Sequence, residues 1–156
     1  MTDPDEIRKI ARVRIDEALC LCEGNLLDGS FYLAGYSVEL MLKAKICDRF
    51  GIPNLFNEQG GDSAEQRQHL KIADVRKAVK VHNLFQLLVY SGLKAQFDQA
   101  KSTNRLIMKT NSLLFGKWDE NCRYLPVGTM KSKTDMRSLL NALKDPGGLL
   151  EWIETH

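Results

Sequence analysis

From Phe31 to Lys45 the chain reads Phe-Tyr-Leu-Ala-Gly-Tyr-Ser-Val-Glu-Leu-Met-Leu-Lys-Ala-Lys. Wound into a helix, this segment is apolar on nearly every side, with Glu39, Lys43 and Lys45 as the exceptions. A helix of that kind belongs in the middle of a packed structure. Tyr32, Tyr36, Glu39 and Lys43 fall at i, i+4, i+7 and i+11, so they share one polar-tipped stripe. The pattern predicts a central bundle helix whose few hydrophilic ends meet companions inside the molecule.

Periodic apolar positions elsewhere supply the neighbours. Thr2 or Asp3 ahead of Pro4, with Asp5 and Glu6 behind it, is a helix start. Ile7, Ala11, Ile15, Ala18, Leu19, Cys22 and Leu26 carry that helix forward, and Gly24 and Asn25 loosen it. Asp28-Gly29-Ser30 is expected as the turn, with Ser30 capping the central helix, which runs to Phe50 and stops at Gly51 before Pro53. Two long helices joined by a short turn predict an antiparallel hairpin.

Residues 52–68, with Pro53, Asn54, Asn57, Gly60, Gly61, Asp62 and Ser63, read as a loop. Residues 69–81 read as a short helix with Ile72, Val75, Ala78 and Val79 on one face. His82-Asn83 opens a helix over Leu84 to Tyr90, closed by Ser91-Gly92. Leu93 to Phe115 is helical with a break at Ser102-Thr103-Asn104, and Trp118 to Met130 is irregular. Thr134 or Asp135 is expected to cap a helix bearing Met136, Leu139, Leu140 and Leu143, and Asp145-Pro146 restarts a last piece with Leu149, Leu150, Trp152 and Ile153. Strand signals are nearly absent. The expected fold is all-α, a mostly up-and-down bundle of four to five main helices, with residues 1–156 as a single domain.

Charge adds little direction. The 22 basic and 20 acidic residues leave +2, so an anion site has to come from a local cluster. Lys71, Arg76, Lys77 and Lys80 form one basic face, read either as solvated or as an RNA contact. Cys20, Cys22, Cys47 and Cys122 form no C-x-x-C pair, which favours reduced thiols and a cytoplasmic setting. The first residues carry no apolar run, so no signal peptide is expected, and no stretch is apolar enough to predict a membrane span. His69, His82 and His156 lie apart without carboxylates at ligand spacing, so neither a metal nor another cofactor is expected.

The long first helix, the Phe31–Lys45 pattern, His82-Asn83-Leu84 and Trp118-Asp119-Glu120-Asn121-Cys122-Arg123-Tyr124, in that order over most of the chain, resemble the HEPN-domain proteins ("higher eukaryotes and prokaryotes nucleotide-binding"). The resemblance implies an HEPN-like helical bundle, often a homodimer, in small prokaryotic proteins. Some members act beside a nucleotidyltransferase as a toxin–antitoxin pair. Several are metal-independent endoribonucleases, and others bind nucleotides without catalysis.

The family's ribonucleases carry an arginine followed shortly by a histidine, and Arg76 and His82, separated by Lys77 to Val81, fit that spacing. In that reading His82 moves the 2′-hydroxyl proton and Arg76 holds the phosphate. In the structural reading His82 packs at a helix start and Arg76 is solvated. Arg123 and Tyr124 match the family's Trp…Arg-Tyr piece, and such a pair can grip a phosphate and stack a base. The alternative pairs Arg123 with a core carboxylate such as Glu39, and either way Arg123 is the arginine expected to be partly buried. Tyr36, Glu39 and Lys43 are read as lining a ligand pocket or dimer surface, or as a structural network. The expected function is an endoribonuclease or toxin component acting on RNA. The alternative is a non-catalytic nucleotide- or protein-binding module, for example one paired with a nucleotidyltransferase.

Overall fold

The structure, a computed structural model, describes residues 3–57 and 63–156, less the side chains of Ser63, Glu65 and His69. The Thr2 cap, the loop glycines Gly60 and Gly61, and the His69 side chain therefore lie outside the described residues. Among those residues the chain is all-α, with no strand. Its helices are α1 (Pro4–Glu23), α2 (Leu27–Phe50), α3 (Ser63–Lys71), α4 (Ala73–Val79), α5 (Leu84–Tyr90), α6 (Lys94–Thr103), α7 (Arg105–Leu113), α8 (Lys133–Lys144) and α9 (Leu149–Thr155), with a 3-10 turn at Glu120–Tyr124 between α7 and α8. None of them is long and apolar enough to cross a membrane.

α1 starts as its sequence dictates. The Asp3 carboxylate accepts the Glu6 N–H at 2.8 Å, and Pro4 occupies the first turn, where its missing N–H costs nothing. Ile7, Ala11, Ile15, Ala18 and Cys22 form its buried stripe. That stripe lies along α2, where Phe31, Val38, Leu40, Met41, Leu42 and Ile46 point to different sides and are all buried. α2 is the enclosed rod that the Phe31–Lys45 pattern predicts: it touches α1, α5, α8, α9 and the 3-10 turn. It ends at Gly51, whose φ of 65° is the left-handed conformation that glycine adopts without strain.

The hairpin turn is not where the sequence placed it. α2 begins at Leu27, so Asp28, Gly29 and Ser30 are already helical, and the turn is Gly24-Asn25-Leu26 with Asn25 left-handed at φ 60°. Each of the supposed turn residues has another use. The Ser30 hydroxyl donates to the Ala18 carbonyl of α1 at 2.7 Å, and the Asp28 carboxylate accepts two N–H groups from the segment before α8. A second hydroxyl, Ser37, donates to the Ala11 carbonyl at 2.7 Å. Ser30 and Ser37 thus meet Ala18 and Ala11 in reversed order, which is the antiparallel register expected.

Two other boundaries moved. The segment read as loop to residue 68 and helix over 69–81 is instead two short helices, α3 and α4, in which Val79 is buried while Val75 and Ala78 are exposed. The cap of α8 is Ser132, which accepts the Asp135 N–H at 3.1 Å, so Thr134 and Asp135 sit inside the first turn. The break between α6 and α7 falls at Asn104 as expected, because its side chain caps α7 by accepting from Leu106 and Ile107.

The path from α7 to α8 comes closest to the α2 backbone at Gly35. The Trp118 ring lies flat on the backbone at Gly35, where an added Cβ would stand 2.3 Å from three of its ring atoms. Trp118 Nε1 donates to the Tyr32 carbonyl at 3.0 Å, and the two rings stack with centroids 6.1 Å apart. A rigid ring held by a hydrogen bond and a stacked neighbour cannot yield as a flexible side chain would. Gly35→Ala is therefore expected to destabilise the fold by about 2 kcal/mol, against its gain in helix propensity. Urea unfolding followed by tryptophan fluorescence measures this, and a neutral result would mean that Trp118 is free to shift.

Candidate functional site

The stripe on α2 turns a charge inward. Glu39 is 1% exposed, and its Oε1 accepts from Lys43 Nζ, one turn on, at 2.7 Å. Lys43 is itself buried, with its ammonium 5.5 Å from the centre of the Phe56 ring. Removing a carboxylate from water costs several kcal/mol unless partners replace the lost hydration. One partner comes from outside the helix: His82 Nδ1 lies 3.0 Å from the same Glu39 oxygen. Glu39 Oε2 is buried with no hydrogen-bond partner among the described residues.

His82 is held between two acids. Its Nε2 lies 3.1 Å from Glu120 Oε2, so one ring spans a buried and a half-exposed carboxylate. Nδ1 and Nε2 thus each stand within hydrogen-bond distance of a carboxyl oxygen. Local structure fixes each contributor. Asn83 caps α5 by accepting the Gln86 N–H at 3.0 Å, which fixes the chain beside His82. Asp119 caps the 3-10 turn by accepting the Asn121 N–H at 2.7 Å, and Trp118 anchors that turn on Gly35. The His82 side chain is 49% exposed and faces a polar concavity of about 390 Å³ lined by Lys80, Asn83, Gln86, Asp119 and Glu120.

The stripe continues as aromatics. Tyr36 stacks on Tyr32 at 6.2 Å, and Tyr32 on Trp118. Burial, reinforced by the nearby Glu39 charge, pushes the Tyr36 phenol above its usual pKa. Beyond them Arg123 lies over the Tyr124 ring at 5.0 Å, and Tyr124 is 74% exposed. Tyr124, and after it Tyr32, raise the Arg123 pKa, so this guanidinium is a permanent surface cation.

The structure brings Glu39, Lys43 and His82 into one network, leaves Tyr36 beside it within the influence of the Glu39 charge, and ties Arg76 to the segment after α2 instead. Arg76 Nε donates to the Leu55 carbonyl at 2.7 Å, and one terminal nitrogen is buried without a partner among the described residues. The half-buried guanidinium thus secures the segment after α2; it is not the solvated side chain of the structural reading. Arg123 is also unlike its expectation: it is exposed, because the 3-10 turn presents it outward, and the place imagined for it beside Glu39 is taken by Lys43 and His82. Glu120 was not singled out in the sequence. It meets His82 only through the path of the connector, and no periodicity records that path. Among the described residues no group of three or more His, Cys, Asp or Glu side chains could hold a metal ion, and all four cysteines are free.

No protein-family model, curated protein or solved structure matches the chain.

Breaking the buried pair from one side leaves an uncompensated charge. Lys43→Met and Glu39→Leu are each expected to cost about 3 kcal/mol, and the double variant much less than their sum. Urea unfolding of the four proteins reads the coupling. Additive losses would show that the two charges do not depend on one another.

Proposed function

We propose that the chain is a HEPN-like module that holds a nucleotide or a single-stranded RNA phosphate without cutting it. The observation that carries this reading is the hold on His82. A metal-free ribonuclease needs an imidazole nitrogen open to the 2′-hydroxyl and an arginine within reach of the same phosphate. Here both nitrogens face carboxylates, and Arg76 is tied through its Nε to the Leu55 carbonyl. The binding half of the proposal rests on Arg123 and Tyr124, a cation beside an exposed ring, which suits a phosphate next to a stacked base. The family resemblance extends the proposal to a nucleotidyltransferase partner.

One observation favours the catalytic alternative. Glu39 orients Nδ1 from the interior, as a buried acid orients the histidine of a general-base pair, and Glu120, whose side chain is 39% exposed, is all that stands at Nε2. In that version Nε2 takes the hydroxyl proton once Glu120 swings aside.

A labelled RNA with EDTA present separates the two. Neither wild type nor His82→Ala is expected to cleave it. Fluorescence anisotropy is expected to show binding that Arg123→Ala weakens by roughly tenfold, the scale of one lost stacking and charge contact. Cleavage that persists in EDTA and disappears in His82→Ala would establish the catalytic version. Equal binding by Arg123→Ala would move the site away from the 3-10 turn.

A further inference from the structure

The 3-10 turn has a second side. Glu120 faces His82, while Cys122 lines a recess of about 250 Å³ whose floor is Phe31, Met136 and Leu139 and whose rim includes Leu113 and Thr129. Phe31, Met136 and Leu139, at 5%, 0% and 1% exposure, back the recess with core side chains, and its accessible wall is offered mainly by Leu113, Leu125, Thr129 and Met130. Its roof is the segment from Leu125 to Met130. That roof is latched by the Asp28 carboxylate, which accepts the N–H groups of Gly128 and Met130 at 2.7 Å each. None of the buried side-chain polar atoms that lack a partner belongs to a residue lining the recess. Walls of this kind hold water poorly and favour an apolar occupant.

We propose that this recess binds a small uncharged aromatic molecule of on the order of ten non-hydrogen atoms, scaling from an apolar cavity of about 150 Å³ that takes benzene. The half-buried Met130 thioether and the edge of Phe31 offer a polarisable wall suited to a flat ring. The charges at the mouth are mixed. Lys117 opposes Asp135, and the Asp28 carboxylate is already engaged, so no single ionic head group is selected. The latch gives a way in: two hydrogen bonds release the roof while the helices stay packed.

Indole is the probe, with benzoate and benzylamine as charged counterparts of similar size. Saturation-transfer NMR and thermal unfolding of the full chain are expected to show indole binding with a Kd on the order of 0.1–1 mM and a Tm that rises with its concentration. Thr129→Trp, which fills the recess from its exposed rim, and Leu113→Phe, which fills it from α7, are each expected to weaken indole roughly tenfold. The charged analogues are expected to bind at least as weakly. If either variant fails to fold, the other carries the comparison. No transfer to indole with wild type at about 5 mM would overturn the proposal, as would undiminished binding by the folded filled variants or equal binding of benzoate or benzylamine.

Discussion

A carboxylate in the middle of an apolar helix dictates much of what surrounds it. Glu39 at 1% exposure needs partners for its oxygens, and α2 supplies Lys43 while the chain returns His82 to the same oxygen. Those requirements set the entry to α5 and, through Glu120, the seat of the 3-10 turn. Apolar side chains at these positions would pack with similar strength and far less direction. The charge makes one arrangement of helix, histidine and turn better than its neighbours.

The connector between α7 and α8 translates that arrangement into surface. Trp118 lies on Gly35, Asp119 caps the turn behind it, and within five residues the chain presents Glu120 to one side, Cys122 to another and Arg123 with Tyr124 to solvent. A segment with no long helix of its own thus borrows rigidity from α2, and it brings recognition chemistry close to the buried charge without exposing that charge.

Much of the helical architecture was legible because burial leaves a period. The stripe Ile7, Ala11, Ile15, Ala18, Cys22 and the all-round apolar run of α2 are written in residue types. Asn83 and Asn104 announce their helices because a side-chain cap is a local signal. Asp28-Gly29-Ser30 misled for the converse reason. Its residue types suit a turn, but their polar groups serve partners far along the chain, at Ala18, Gly128 and Met130. The site divides the same way. Glu39 with Lys43 was readable as a helical pair, and whether Lys43 or Arg123 neutralised the acid was not. The answer depends on which way a 3-10 turn faces, and nothing in a single residue's identity fixes that.

Ser30 and Ser37 stand seven residues apart on α2, and their acceptors Ala18 and Ala11 stand seven apart on α1. One such bolt would permit the two rods to pivot; a pair, set two turns apart, forbids both pivoting and axial creep. The α1–α2 hairpin is therefore a chassis. Whatever the protein accommodates when it meets another molecule, the compliance belongs to the pieces mounted on that frame.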